Sequence, residues 1–363
     1  MCEDYILAIN PGSTSTKISL YNGDICVETE NILHTPLEIS KYEDIYLQKD
    51  MRTECILNWL KRKGLDLNKI KAVVGRGGLL RPMPGGTYKV TEKMIEDLKI
   101  GYQGQHASNL GGIIAYDIGK DINAPAFIVD PVAVDEMDDV ARISGMPEIE
   151  RKSLVHALNI KAVTRRVCQR VNLDFNNSSF VVAHLGGGIS ISPLKNGRIL
   201  DANNANEDGP FSPERSGGLP SGDLVSIAFS GKYTQKELKK IIIGNSGLVG
   251  YLGTNDGREV TERIAKKDER AEFILYAMSY QIAKEIGSMA TVLNGKVDAI
   301  ILTGGLAYNK QLVNWVREMV EFIAPLEVVE GEDEMMALSK GALRVIKGKE
   351  KAKIYEEEVQ ING

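Results

Sequence analysis

Three short segments carry residue types suited to holding phosphate groups and a flat ring. Residues 10–17 read NPGSTSTK. In a tight turn between strands, these hydroxyls and backbone N–H groups can cradle phosphate oxygens without a helix dipole, and Lys17 adds a positive charge. A plain hairpin uses the same residue types, so this segment alone leaves both readings open. Residues 184–192 read HLGGGISIS. Three consecutive glycines at a strand end are entropically unfavourable unless something needs a close approach. A second phosphate turn, with His184 donating a hydrogen bond, is one such need; a bulge beside a core histidine is the other reading. Residues 302–309, LTGGLAYN, end an apolar strand in Thr-Gly-Gly ahead of a helix. There a ring such as adenine can slide against the backbone, although an ordinary turn has the same signature. Two such turns, one in each half, favour phosphate binding more than either does alone.

The elements that must position these turns follow from patterning. Residues 5–32 predict strand, polar turn, strand, Asn-Gly turn and strand, each run short and rich in Ile, Leu and Val. A helix is expected over 43–63, a buried strand at 72–74, and another at 126–129 that delivers Asp130 at its end. Residues 151–171 contain neither Gly nor Pro and predict one long helix. A strand over 179–185 then runs into Gly186-Gly187-Gly188, and ISISPLKNGRIL continues as strand, Asn-Gly turn and strand. Further on come a helix over 269–293, a strand at 299–302, a turn into another helix, and a terminal helix from about Met335. The strand–polar turn–strand unit therefore recurs halfway along, as a repeat of organisation and not of sequence.

A chain of 363 residues exceeds what one core usually serves. The expected division is 1–150, with a C-terminal helix 335–363 packing on it, and 151–334. Two α/β halves, each opening with an antiparallel meander, describe two actin-like ATPase domains, mixed sheets flanked by helices with a nucleotide cleft between them. No G-x-x-x-x-G-K-[ST] occurs, and no G-x-G-x-x-G follows a strand to open a helix, so neither the P-loop nor the dinucleotide fold is indicated. HExxH and G-x-S-x-G are missing too.

With a net charge of −5 and no basic run longer than Lys61-Arg62-Lys63, neither nucleic acid nor an anionic membrane is an expected partner. Cys2, Cys26, Cys55 and Cys168 are scattered without a CxxC, as reduced thiols in a cytosol would be. The start of the chain lacks a basic n-region and an apolar h-region, so a cytoplasmic location is expected.

Taken in order, these segments resemble the acetate and butyrate kinase family, within the superfamily of acetate and sugar kinases, chaperones and actin. NPGSTSTK resembles its first phosphate loop, HLGGG its second, and LTGG its adenosine loop. GRGG at 75–78, DPVAVDEM at 130–137, the helix expected to contain His156, and ERSGGLPSGD at 214–223 fall where the family has functional segments. The resemblance covers essentially the whole chain, and seven ordered segments are far more specific than one.

That resemblance implies a set of roles. Asn10, Ser13 and Lys17 lie in the first phosphate loop, and His184, Gly186, Gly187 and Gly188 in the second. Arg76 faces the acid's carboxylate, Arg215 bridges acid and transferring phosphoryl group, and His156 hydrogen-bonds that group in flight. Asp130 is the acid beside magnesium. Glu334 is the magnesium-associated glutamate, with Asp333 the alternative because the register is ambiguous by one. Asp256 and Arg258 lie in the segment around ribose and adenine, with Gly304, Gly305 and Asn309 in the adenosine loop. Acetate kinases carry Asn in the middle of the second loop, where this chain has Gly187. That departure favours the butyrate branch.

The implied activity is reversible transfer of the γ-phosphoryl group of ATP to butyrate with Mg²⁺, giving butyryl phosphate and ADP, by a homodimer or higher homo-oligomer. Isobutyrate, propionate or acetate are alternative acids, and a non-metabolic actin- or chaperone-like ATPase is the reading from another class. The chemistry is coherent: a carboxylic acid with a pKa near 4.3 is ionised at pH 7, so no general base is needed. The difficulty is bringing two anions together, and Arg, His and magnesium supply the neutralising charge.

Overall fold

The computed structural model describes residues 4–359 and resolves two compact units, one formed by residues up to Asp135 together with those from Asp333 onward, the other by Glu136–Glu332. In the first, β1 (Tyr5–Pro11), β2 (Ser15–Asn22) and β3 (Ile25–Leu33) form an antiparallel meander. β4 (Ile70–Arg76) lies parallel to β1, and β6 (Ala126–Val129) parallel to β4, with β5 (Thr87–Lys89) antiparallel beside β6. β1 is apolar on both faces and central, whereas β3 alternates between exposed and half-buried residues and lies at the edge. Ile9 and Ile18 of the meander share a core with Ile56 and Trp59 from the helix Lys49–Arg62 and Ile114 from the helix Asn109–Asp121.

The second unit repeats this plan. β7 (Ser179–Leu185), β8 (Ile189–Lys195) and β9 (Arg198–Ile199) form the meander, and β10 (Ala299–Gly304) and β11 (Leu326–Glu330) add in parallel beyond β7. The orders β3-β2-β1-β4-β6 and β9-β8-β7-β10-β11 match in sequence and sense. The repeat of organisation is therefore a repeat of sheet topology, beginning at Tyr5 and Ser179. Ile191, Leu302 and the long helix Glu269–Val292, through Ile282 and Ile286, build its core.

Several expected elements differ from the structure. The division falls at Asp135/Glu136, where the sequence reading set it near residue 150. Glu136 is buried against Lys161 Nζ at 2.8 Å, and the Asp138 N–H donates to Leu200 O, so this stretch goes with the second unit. The helix expected over 43–63 spans Lys49–Arg62. The helix expected over 151–171 spans Ala157–Val171, which leaves His156 as its N-cap residue. Residues 151–156 stay outside the helix because the Arg151 guanidinium donates to Ala141 O and Ala202 O, and the His156 N–H donates to Ser190 Oγ.

The terminal helix also differs: it spans Glu334–Ile346 and lies over β1, β4 and β6 of the first sheet. A Schellman motif stops it, with Gly348 at φ +65° and the Lys349 N–H donating to Arg344 O. β12 (Lys353–Ile354) then pairs with β5, and Tyr355 is buried with its hydroxyl donating to Asp97 Oδ2 at 2.9 Å. Residues 360–363 of the expected helix, and Cys2, lie outside the described residues. Cys26, Cys55 and Cys168 are free thiols, and burial pushes the latter two above the usual thiol range. No helix among the described residues is long and apolar enough to cross a membrane.

Candidate active site

In each unit the expected residues gather at the carboxyl ends of the parallel strands and at the turn after the first strand, where open α/β sheets bind ligands. In the first unit Asn10 ends β1 and pairs in register with Lys17 of β2. Between them the Gly12 N–H donates to Ser15 O, closing the turn and leaving Ser13 exposed. Asn10, Gly12, Ser15, Lys17 and Asn31 line a cavity of about 330 Å³. Arg76 ends β4 and is ion-paired with Glu334, which also accepts from Asn10 Nδ2 at 2.6 Å. Of the two adjacent acids, Asp333 caps its helix by accepting from the Met336 N–H, and Glu334 is the one that reaches Asn10 and Arg76.

Asp130 follows β6 with φ +38°, a conformation an L-residue adopts only under constraint. The constraint is local: Asp130 N–H donates to Gly86 O, and its carboxylate, almost fully buried, accepts from the Gly86 N–H at 2.7 Å. The GRGG turn needs its glycines for close packing. A Cβ on Gly75 would lie 2.0 Å from Gly111 O, and one on Gly78 would lie 2.3 Å from Asn109 Oδ1.

In the second unit His156 and His184 stack, with ring centroids 3.9 Å apart and planes within 14°. His156 Nδ1 lies 2.6 Å from Ser190 Oγ. Buried His184 is bracketed: Asn159 Nδ2 stands 2.8 Å from its Nδ1, and Glu332 Oε1 stands 3.1 Å from its Nε2. Both ring nitrogens of His184 are thus engaged by protein side chains. The glycine turn begins beside it: a Cβ on Gly186 would lie 3.0 Å from His184 Nε2.

Arg215 packs against the third glycine of that turn. A Cβ on Gly188 would lie 1.9 Å from Arg215 Nη1. Nη1 donates to Ala205 O at 2.6 Å, while the buried Nε has no protein partner. Burial pulls the guanidinium below its ordinary pKa, with Glu214 acting in the opposite direction. Gly187 contributes its carbonyl, which accepts from Ser212 Oγ at 2.6 Å.

The segments expected around adenosine also come together. Gly304 ends β10 at φ +89°, with its missing Cβ 2.4 Å from Leu185 O, and Gly305 opens a 3₁₀ turn. Asn309 caps the helix Lys310–Val320 and donates to Thr261 Oγ1 at 3.0 Å. Asp256 caps the helix Gly257–Ala265 and pairs with Arg258, whose side chain is otherwise exposed. Gly257 abuts Leu306, so both caps border one surface.

Sequence reasoning did not single out Asn159, Glu332, Asn31 or the Asn109–Gly112 run. The Gly111-Gly112 pair was the available signal for the last; Asn159 offered only its place three residues after His156.

The sequence profile of the acetokinase family matches residues 149–356. The chain is 53% identical over 352 residues to butyrate kinase 2 of Clostridium acetobutylicum, covering 97% of this chain and 99% of that protein. A probable butyrate kinase of Clostridium botulinum (strain Alaska E43) is likewise 53% identical over 351 residues, covering 96% and 99%. The crystal structure of Porphyromonas gingivalis acetate kinase superposes with a TM-score of 0.77 at 20% identity, covering 94% of this chain and 100% of that one. The fold is thus the actin-like ATPase fold, as the sequence led one to expect. The chain belongs to the acetokinase family.

Proposed function

We infer that this chain is a carboxylate kinase that transfers the γ-phosphoryl group of ATP to butyrate. The observation that carries this is the 53% identity, sustained over 97% of the chain, to a relative named butyrate kinase. The butyrate oxygen attacks the γ-phosphorus as the bond from that phosphorus to the β–γ bridging oxygen breaks, its electron pair leaving with ADP. No proton moves, since the acid arrives ionised. Catalysis is then alignment and charge neutralisation. In this reading Arg76 faces the carboxylate and Arg215 spans carboxylate and phosphoryl group. His156 donates to a phosphoryl oxygen, and Asn10, Ser13, Lys17, His184 and Gly186–Gly188 form the two phosphate loops. Asp256, Arg258, Gly304, Gly305 and Asn309 surround the nucleoside.

The donor set suits magnesium, which keeps several waters and takes one or two carboxylates. Asp130 and Glu334, the carboxylates that the family resemblance puts beside the metal, are the two that would hold it. A magnesium ion held there would offset the negative charge of the phosphates.

A cytoplasmic location and assembly into a homodimer or larger homo-oligomer belong to the same proposal. The helices Ser221–Ala228 and Gln235–Gly244 bury none of their residues, and Phe229 beside them is 87% exposed, as a surface covered by another copy would be. The test of function is a steady-state assay that traps acyl phosphate as the hydroxamate, with straight and branched C2 to C6 acids. Failure to phosphorylate any acid, with turnover of a polyol or sugar, would overturn the reading.

A further inference from the structure

The first turn stands on a cation that nothing in the local sequence singles out. Arg52, in the first turns of the helix Lys49–Arg62, is fully buried. Its Nη1 donates to Ser15 O at 2.8 Å and to Thr16 Oγ1 at 3.0 Å. Nη2 donates to Gln48 Oε1 at 2.9 Å and to Ser13 O at 3.4 Å, and Nε to Gln48 Oε1 at 3.2 Å. Every one of these acceptors is neutral. A buried charge is normally matched by an opposite charge, because desolvation is otherwise uncompensated. His34, whose Nε2 lies 2.8 Å from Thr16 Oγ1, does not supply one. Burial, and then the charge of Arg52 itself, hold its imidazole below the usual value.

The same turn lines the cavity of Asn10, Gly12, Ser15, Lys17 and Asn31. Ser15 belongs to both surfaces: its carbonyl faces Arg52, and the residue borders the cavity. Carbonyl oxygens that would repel an anion are thereby directed to the guanidinium. We propose that Arg52 is a positioning residue for anion binding at this turn, fixing the Ser13 and Ser15 carbonyls away from the cavity and leaving a buried positive charge whose counter-charge is a bound phosphate group. The proposal rests on the reading of this turn as a phosphate site.

The test compares Arg52→Gln with Arg52→Lys in the full-length protein. Either side chain can donate to Ser15 O, but only Lys keeps the charge. Inorganic phosphate is titrated by calorimetry, with thermal melts and acyl phosphate formation from butyrate followed in parallel. The expected result is at least a tenfold loss of phosphate affinity in Arg52→Gln and less than threefold in Arg52→Lys. Equal losses in the two variants would mean that Arg52 only pins the backbone, and would overturn the proposal. So would a tenfold loss in Arg52→Lys, which decides the matter even where the Gln variant does not fold. Turnover of butyrate by the unsubstituted protein reports on the proposed reaction independently of either outcome.

Discussion

Replacing Gly188 with alanine adds one methyl group to the second glycine turn and meets Arg215 directly. The new Cβ would stand 1.9 Å from Nη1 and 2.6 Å from Cζ, against an ordinary contact of about 3.5 Å. The guanidinium must therefore retreat by about 1.5 Å. It is the far end of a flexible side chain, and the backbone neighbour, Ala205 O at 3.2 Å, has only to give by a few tenths of an ångström. What is lost from the fold is chiefly the bond to Ala205 O, a charge-assisted hydrogen bond whose removal costs about 1.5 kcal/mol. In a unit the size of Glu136–Glu332 that lowers Tm by only about 3–6 °C. Catalysis is far less tolerant, because misplacing an aligning group by 1 Å lowers rate about 100-fold, equivalent to about 2.7 kcal/mol of barrier. Gly188→Ala should thus lose about 100-fold in kcat with a small change in KM for butyrate. Stopped hydroxamate assays and differential scanning calorimetry measure the two effects separately. A kcat within threefold of the unsubstituted protein, with the melt shifted as expected, would refute the placement of Arg215 on the reacting groups.

Arg215→Lys should lower kcat at least tenfold with KM little changed, since a lysine cannot reproduce the planar fork; near-normal kcat would remove the assignment. Asp130→Asn and Glu334→Gln should each raise the magnesium concentration needed for half-maximal rate, and an unchanged requirement in both would exclude them as metal holders. Across C2 to C6 acids, butyrate should exceed acetate by about fifteenfold in kcat/KM, the worth of two buried methylenes at about 0.8 kcal/mol each; parity would place the chain outside the butyrate branch. Burial pushes the Asp97 carboxyl up, but hydrogen bonds from Arg81, Tyr355 and Lys93 outweigh it and hold it below the usual range. Its contribution to stability is complete above the unfolded carboxyl pKa of about 4 and disappears as pH falls through the lower folded value. Asp97→Asn should cost about 2 kcal/mol at pH 7 and flatten the fall of Tm below about pH 4; an unchanged acid limb would count against it.

The meanders at Tyr5 and Ser179 were legible because short apolar runs around polar turns allow few other structures. The glycine turns were legible because three glycines in a row have a local cause. Arg52 and Asn159 were not, since a buried arginine under a turn and an amide against a buried imidazole depend on partners 36 and 25 residues away. His156 looked helical because the helix that follows it contains no breaker, and the contact with Ser190 that ends the helix before it is tertiary. The 136–150 stretch fell on the wrong side of the division for the same reason: its allegiance is set by Lys161 and Leu200, not by its composition.

Because the second unit is a single unbroken stretch, Glu136–Glu332, and the first is not, synthesis on the ribosome completes them in reverse order. The early-emerging sheet lacks β12 and the helix that covers β1, β4 and β6 until the residues from Asp333 onward have been made. Domains ordinarily fold first at the N-terminal side as they emerge, at about 5–20 residues per second. Here the nascent meander, apolar on both faces of β1, must wait about 10–40 s for roughly 200 intervening residues at that rate. A holdase chaperone would find its most exposed target in that interval, and Arg76 would gain Glu334 only at its close.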